Sequence, residues 1–223
     1  MRLPRITKYD SNITKETVEV KSIDYVGKYY NTDNDKDRFK IVTTIERICR
    51  SSMEYKQLIE FLKVNMNMNF CSYFHKVNRD TNGCKKIRIE IHHEPFTLYD
   101  IVAIILNERL ANKKVISMFD IADEVMEMHY KGYVGLLPLS ETVHELVHSG
   151  KIFIPLQFID EGFNQFYLKY KNIIDDMDGL TDLLQAKVNL SKEYAKDPDE
   201  FISILKKKYI YVINSEYETL QRL

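Results

Sequence analysis

The sequence predicts an α+β protein, and three observations carry that prediction. Residues 86–92 alternate toward apolar side chains just after an Asn82-Gly83 pair, the pattern of a strand beside a hairpin turn. Residues 98–110 (LYDIVAIILNERL) and 118–130 (MFDIADEVMEMHY) instead carry apolar stripes behind capping residues, which is a helical pattern. A chain of 223 residues with 44% hydrophobic content is long enough for one large domain or two small ones around a real core.

The elements follow in order. Residues 1–37 are polar and end in NTDNDKD, with Val18, Val20 and Ile23 able to make one strand, so they read as an extended arm or edge segment. Ser51 and Glu54 have capping-box spacing, and Tyr55, Leu58, Ile59 and Leu62 follow at helical intervals until the asparagines of VNMNMN stop them. Residues 70–77 and 86–92 flank RDTNGC and predict a β-hairpin. Thr97 with Asp100, and Ser117 with Asp120, cap the two apolar helices. Residues 133–140 (YVGLLPLS) read as strand or loop, Ser140 can cap a helix carrying His144 and His148, and Gly150 can end it. IFIPL, residues 152–156, predicts a short strand; Asp197-Pro198-Asp199-Glu200 opens a late helix, and YIYVI, residues 209–213, predicts a final strand.

Composition removes several function classes. Thirty-two basic and 33 acidic residues give a net charge of −1, so attraction to nucleic acid must come from local patches such as Lys85-Lys86, Lys113-Lys114 and Lys206-Lys207-Lys208. The N-terminal segment lacks the apolar core of a signal peptide, and no stretch approaches the roughly 20 apolar residues of a membrane span. We expect a soluble cytoplasmic protein with no membrane partner. Cys49, Cys71 and Cys84 are odd in number and lack C-x-x-C spacing, which argues for reduced core residues.

The histidines carry the chemistry. His144 and His148 are four apart, so on a helix both imidazoles leave one face and can reach one ion. His92 and His93 are neighbours at the end of a strand-like run, where successive side chains point to opposite faces, so one can bind a metal while the other meets a reacting group. TVHELVH also matches the H-E-x-x-H pattern of zinc metalloproteases, with Glu145 placed as general base. That reading needs a third ligand, and Asp160, Glu161, Asp175 and Asp176 are the candidates, with no pattern that selects one.

A second reading uses more of the chain. RIEIHHEP (residues 88–95) followed by GLLPLSETVHELVHSGK (residues 135–151) resembles the HNH family of nucleases, of the ββα-metal fold, in its version with an extra histidine as in the colicin DNases. A strand ending in a histidine pair, a leucine-proline-leucine run, and helical histidines four apart followed by glycine and lysine are present in that order. The resemblance implies an HNH ββα-metal core at residues 70–160, with a helical insertion at 96–132, an N-terminal extension with one helix at 1–69 and a C-terminal helical extension at 161–223. The family's middle asparagine falls at Gly135, where glycine preserves the turn and loses a hydrogen-bonding brace.

The same resemblance implies one divalent ion, zinc, magnesium, manganese or nickel, held by His92, His144 and His148. It makes His93 the general base, Glu90 the carboxylate that orients a ligand, and Arg88 and Lys151 contacts to backbone phosphates. The implied partner is DNA, double-stranded by preference, cut to 5′-phosphate and 3′-hydroxyl ends. Compact size suggests by analogy a phage or mobile-element enzyme, acting in the host cytoplasm. The metalloprotease and an inert HNH-like module that binds nucleic acid or protein remain as alternatives, because a fold does not settle an activity. His75 and His129, isolated from the pairs, are expected to be structural or simply exposed.

Overall fold

The computed structural model describes residues 22–25, 28–73, 88–112, 114, 116–159, 162–200 and 203. In chain order these form β1 (Ser22–Tyr25), β2 (Lys28–Asn31), α1 (Asp35–Ser51), α2 (Met53–Asn65), β3 (Ile89–His93), α3 (Leu98–Ala111), α4 (Met118–Tyr130), β4 (Leu136–Ser140), α5 (Glu141–His148), α6 (Phe163–Asp175) and α7 (Leu180–Lys196). Helices with two small antiparallel sheets make the class α+β. Among the described residues, no helix is long and apolar enough to cross a membrane. Two compact units share the chain. One takes residues up to Glu60, Phe96–Val134 and Gly162–Leu180; the other takes Phe61–Pro95, Gly135–Glu161 and the chain from Thr181.

The first unit is mainly helical. Asn34 starts α1 by accepting from the amides of Lys36 and Asp37, and Asp35 and Asp37 place negative charge at the positive end of the helix. Thr97 and Asp100 cap α3 reciprocally, as the sequence predicts, and Ser117 accepts from the Phe119 amide at the start of α4. Helix α3 packs against α1, α4 and α6, so Ile101, Val102, Ile104 and Ile105 are all buried although they point in different directions. A helix covered on several sides gains stability from apolar residues all round, which a one-sided stripe would not explain. Arg109 of α3 donates twice to Glu124 Oε2 of α4 (3.0 and 2.7 Å), while Tyr170 of α6 donates to Oε1 at 2.8 Å. Burial pushes the Glu124 carboxyl up, but these hydrogen bonds and the charges of Arg109 and Lys169 outweigh it and hold the group below its usual value.

His129 is structural. It is buried in α4, where its Nδ1–H donates to the Val125 carbonyl oxygen at 2.7 Å and its ring meets Tyr55 edge-on. Burial lowers its pKa to about 4, because the charged imidazolium is poorly solvated there. The unfolded chain therefore binds a proton that the native chain refuses between pH 6.5 and about 4. This contribution is fully present above pH 6.5 and is lost as pH falls through about 4, on the order of 3 kcal/mol across the window. Urea titrations at pH 7.5, 5.5 and 4.5 are expected to show the decline, and His129→Phe to flatten it.

The second unit is built on β3 and β4, which pair antiparallel with Ile89 opposite Ser140, Ile91 opposite Pro138 and His93 opposite Leu136. Glu94 donates its amide to Gly135 and Glu141 donates to Arg88, so the hydrogen-bonded positions fall on either side of the Ile91–Pro138 pair. Proline is tolerated in β4 for that reason: its missing N–H lies at a non-hydrogen-bonded position, and its carbonyl turns outward to accept from Ser72 at 2.9 Å. Helix α5 begins directly after β4. It ends in a Schellman motif, with Gly150 N–H donating to Val147 and Lys151 N–H to Leu146, and Gly150 supplies the required φ of +67°.

Several expectations are corrected. Residues 35–37, read as the end of an extended arm, open the 17-residue helix α1, and β1 pairs with a second strand, β2. The start of α2 shifts by one residue, because Ser52 and not Ser51 accepts from the Tyr55 amide. IFIPL makes no strand; its last residue opens a short 3₁₀ turn, Leu156–Phe158, held by Ser191 of α7, whose hydroxyl accepts from Leu156. Residues 74–87, with the predicted hairpin turn, Cys84 and His75, lie outside the described residues, as does the strand predicted at 209–213. Asp197 caps the late helix through the Glu200 amide, and Cys49 and Cys71 are buried, as expected. Burial pushes the Cys49 thiol up to about 12.

Candidate metal centre

Strand alternation decides which histidine meets which. Glu90 and His92 share a face of β3 that Glu94 continues one residue past the strand end, while Ile89, Ile91 and His93 share the other. His144 and His148 leave α5 one turn apart and meet the His92 face. The ring centroids of His92 lie 5.1 Å from those of both His144 and His148, which are 4.4 Å from each other. One nitrogen from each of the three rings lies within 4.8 Å of the others. His148 Nε2 stands 3.1 Å from His144 Nε2. Ligands of a tetrahedral ion with bonds of about 2.0–2.1 Å lie roughly 3.3–3.4 Å apart, a spacing that the His144 and His148 nitrogens approach, and the three rings make a group able to hold a divalent ion.

The carboxylates nearby set the ring orientation. Glu90 Oε2 is 2.8 Å from His144 Nδ1, which assigns the proton to Nδ1 and leaves Nε2, on the His148 side, as the acceptor nitrogen of the ring. Arg88 is exposed, with Nη1 3.8 Å from Glu90 and 3.7 Å from Glu141. Lys151 is exposed just past the end of α5. His93 is the residue not brought to the cluster: it is 5% exposed on the opposite strand face, beside the buried Ile89 and Ile91. Glu145 is on the exposed side of α5. Asp175 pairs with Lys171 and, like Asp176, belongs to the helical unit, while Asp160 and Glu161 lie outside the described residues. Of the lysine clusters only Lys114 is described, and it pairs with Glu108.

Two residues near the site were not singled out from the sequence. Glu94, 4% exposed, places Oε2 at 3.4 Å from His92 Nε2, and its Oε1 receives the ammonium of Lys187 from α7. The first was legible as the position two beyond His92 on the same strand face; the second is 93 residues away and carried no signal.

Gly135 has its own reason to be glycine. A Cβ there would collide with the carbonyl oxygen of Glu94 and come within 2.8 Å of Ile159 Cγ2. No asparagine brace fits, and the loop is tied instead by the Glu94 amide donating to the Gly135 carbonyl at 3.0 Å. Gly135→Ala is expected to destabilise the protein by about 2–3 kcal/mol in urea titration, because the neighbour it meets is backbone and cannot swing away.

Among known proteins, no curated sequence and no solved structure matches the chain. One family does, over residues 5–218, and on that match the chain belongs to the bacteriophage G278-like virion protein family.

Proposed function

We propose that this phage protein is a metal-dependent endonuclease, with β3, β4 and α5 acting as an HNH-type ββα-metal core. The observation that carries the reading is the convergence of His92 from a strand end with His144 and His148 from the helix that follows its partner strand. His92, His144 and His148 would hold the ion. When bound, it would offset charge on the scissile phosphate and on the leaving oxygen. Glu90 keeps His144 in the tautomer that presents Nε2. Arg88 and Lys151, both exposed, meet the backbone phosphates, and His93, buried on the opposite strand face, is the general base that the resemblance to the HNH nucleases implies. The substrate is DNA, double-stranded by preference, met in the host cytoplasm.

The test is nicking of supercoiled plasmid by the full-length protein loaded in turn with zinc, nickel, manganese or magnesium. Chelator-sensitive nicking that leaves 5′-phosphate and 3′-hydroxyl ends is the expected result.

A second reading is favoured by one observation, the burial of His93 away from the histidine cluster. In it the ion is structural and the unit is a non-catalytic binding module of the phage particle. Metal-saturated protein that cleaves neither duplex nor single-stranded DNA would select it.

A further inference from the structure

Each carboxylate on the His92 face of β3 serves a different ring: Glu90 meets His144 and Glu94 meets His92. They differ in surroundings. Glu90 is partly open and has exposed Arg88 nearby, whereas Glu94 is buried and its two oxygens are divided between two partners. Oε1 takes the Lys187 ammonium and Oε2 faces His92 Nε2. A carboxylate this deeply buried persists when a compensating cation and fixed hydrogen bonds replace its water. Lys187 supplies that cation from α7. Ser191, one turn further along α7, accepts from the Leu156 amide, and its carbonyl accepts from the Gln157 side chain, so the helix is anchored beside the ion pair it provides.

We propose that Glu94, locked in place by Lys187, is the positioning residue that fixes the His92 imidazole for metal binding, so that α7 completes the site. The proposal rests on the reading that the three histidines hold a divalent ion. It extends the site to a residue far outside the two motif segments, since residues 88–95 and 135–151 contain no cation placed against Glu94. His92 differs from the helical pair in needing such a device. His144 and His148 are set by one helix, while His92 is the only one of the three on β3, which ends at His93 just before Glu94 and the Pro95 turn. A ring held on one side by a fixed carboxylate loses little further freedom when its ligand arrives, and the partners of metal-binding histidines act in this way.

The experiment measures cobalt(II) binding to the full-length protein, by competition with a chromophoric chelator and by the visible spectrum of the bound ion, together with thermal melts of the metal-free protein. Glu94→Gln and Lys187→Met are each expected to weaken binding by about 10- to 100-fold, while Lys187→Arg stays near wild type. The Glu94→Gln/Lys187→Met double variant removes both buried charges, so it is expected to recover the metal-free melting temperature without recovering affinity. Wild-type affinity and spectrum in the single or the double variants would overturn the positioning role. A double variant that loses affinity and metal-free stability together would also overturn it, because loss of fold would then explain both. Wild-type protein that binds no cobalt would instead overturn the three-histidine reading itself and take this proposal with it.

Discussion

His144→Ala is expected to weaken divalent-metal binding by more than about 100-fold, beyond the 10- to 100-fold range of outer partners. His144 contacts both other rings, 5.1 Å from His92 and 4.4 Å from His148 by centroid, and its Nδ1 is already committed to Glu90. Removing it takes away one of three nitrogen donors and leaves Glu90 without its imidazole. The side chain is one-fifth exposed, so truncation opens no core cavity and the fold should survive. His92→Ala and His148→Ala are expected to act in the same direction. His129→Phe is the control, because its ring is buried within the helical unit against the Val125 carbonyl and takes no part in the cluster. Chelator competition titrations on all four variants, with circular dichroism to confirm folding, make the comparison.

His93→Ala is expected to lower plasmid nicking by about 10² to 10⁴ while leaving metal affinity within a few-fold of wild type, which is the signature of a general base that is not a ligand. His92 faces the cluster and His93, buried on the other strand face, does not, so removing the His93 ring takes away none of the three clustered nitrogens. Glu145→Gln supplies the opposing test. Successive helix residues are about 100° apart, so Glu145 projects beside the pair formed by His144 and His148, as a metalloprotease base would. If the protein is a nuclease, Glu145→Gln retains nicking and the wild type shows no chelator-sensitive peptidase activity. Loss of such a peptidase activity on that substitution, with His93→Ala unaffected, would make the enzyme a protease that takes its third ligand from His92.

What was legible in the sequence depended on range. The caps of α3 and α4 were visible because Thr97, Asp100 and Ser117 act within one turn of themselves. Helix α1 was harder. Val42, Thr43, Thr44, Ile45 and Ile48 are β-branched and weaken helix propensity, and the helix is held by packing of Ile41 and Ile45 against its neighbours; yet Asn34 with Asp35 and Asp37 was a readable start signal. The strand expected at 152–156 failed because β-branched residues there pack as single buried side chains, with no neighbouring strand to pair among the described residues. At the site, the periodicities of two and four residues placed Glu90, His92, His144 and His148 correctly relative to their own elements, and convergence followed once β3 paired with β4. The Lys187 contact with Glu94 depends on tertiary packing across 93 residues, for which a single sequence carries no pattern.

The central claim is that His92, His144 and His148 together hold one divalent ion. The most direct measurement is anomalous diffraction, above and below the metal edge, from crystals grown with one equivalent of zinc or nickel. A single peak about 2.0–2.1 Å from one nitrogen of each of the three rings is the result predicted. No peak at the cluster in metal-saturated crystals, or an ion bound by the helical pair with His92 turned away, would contradict it.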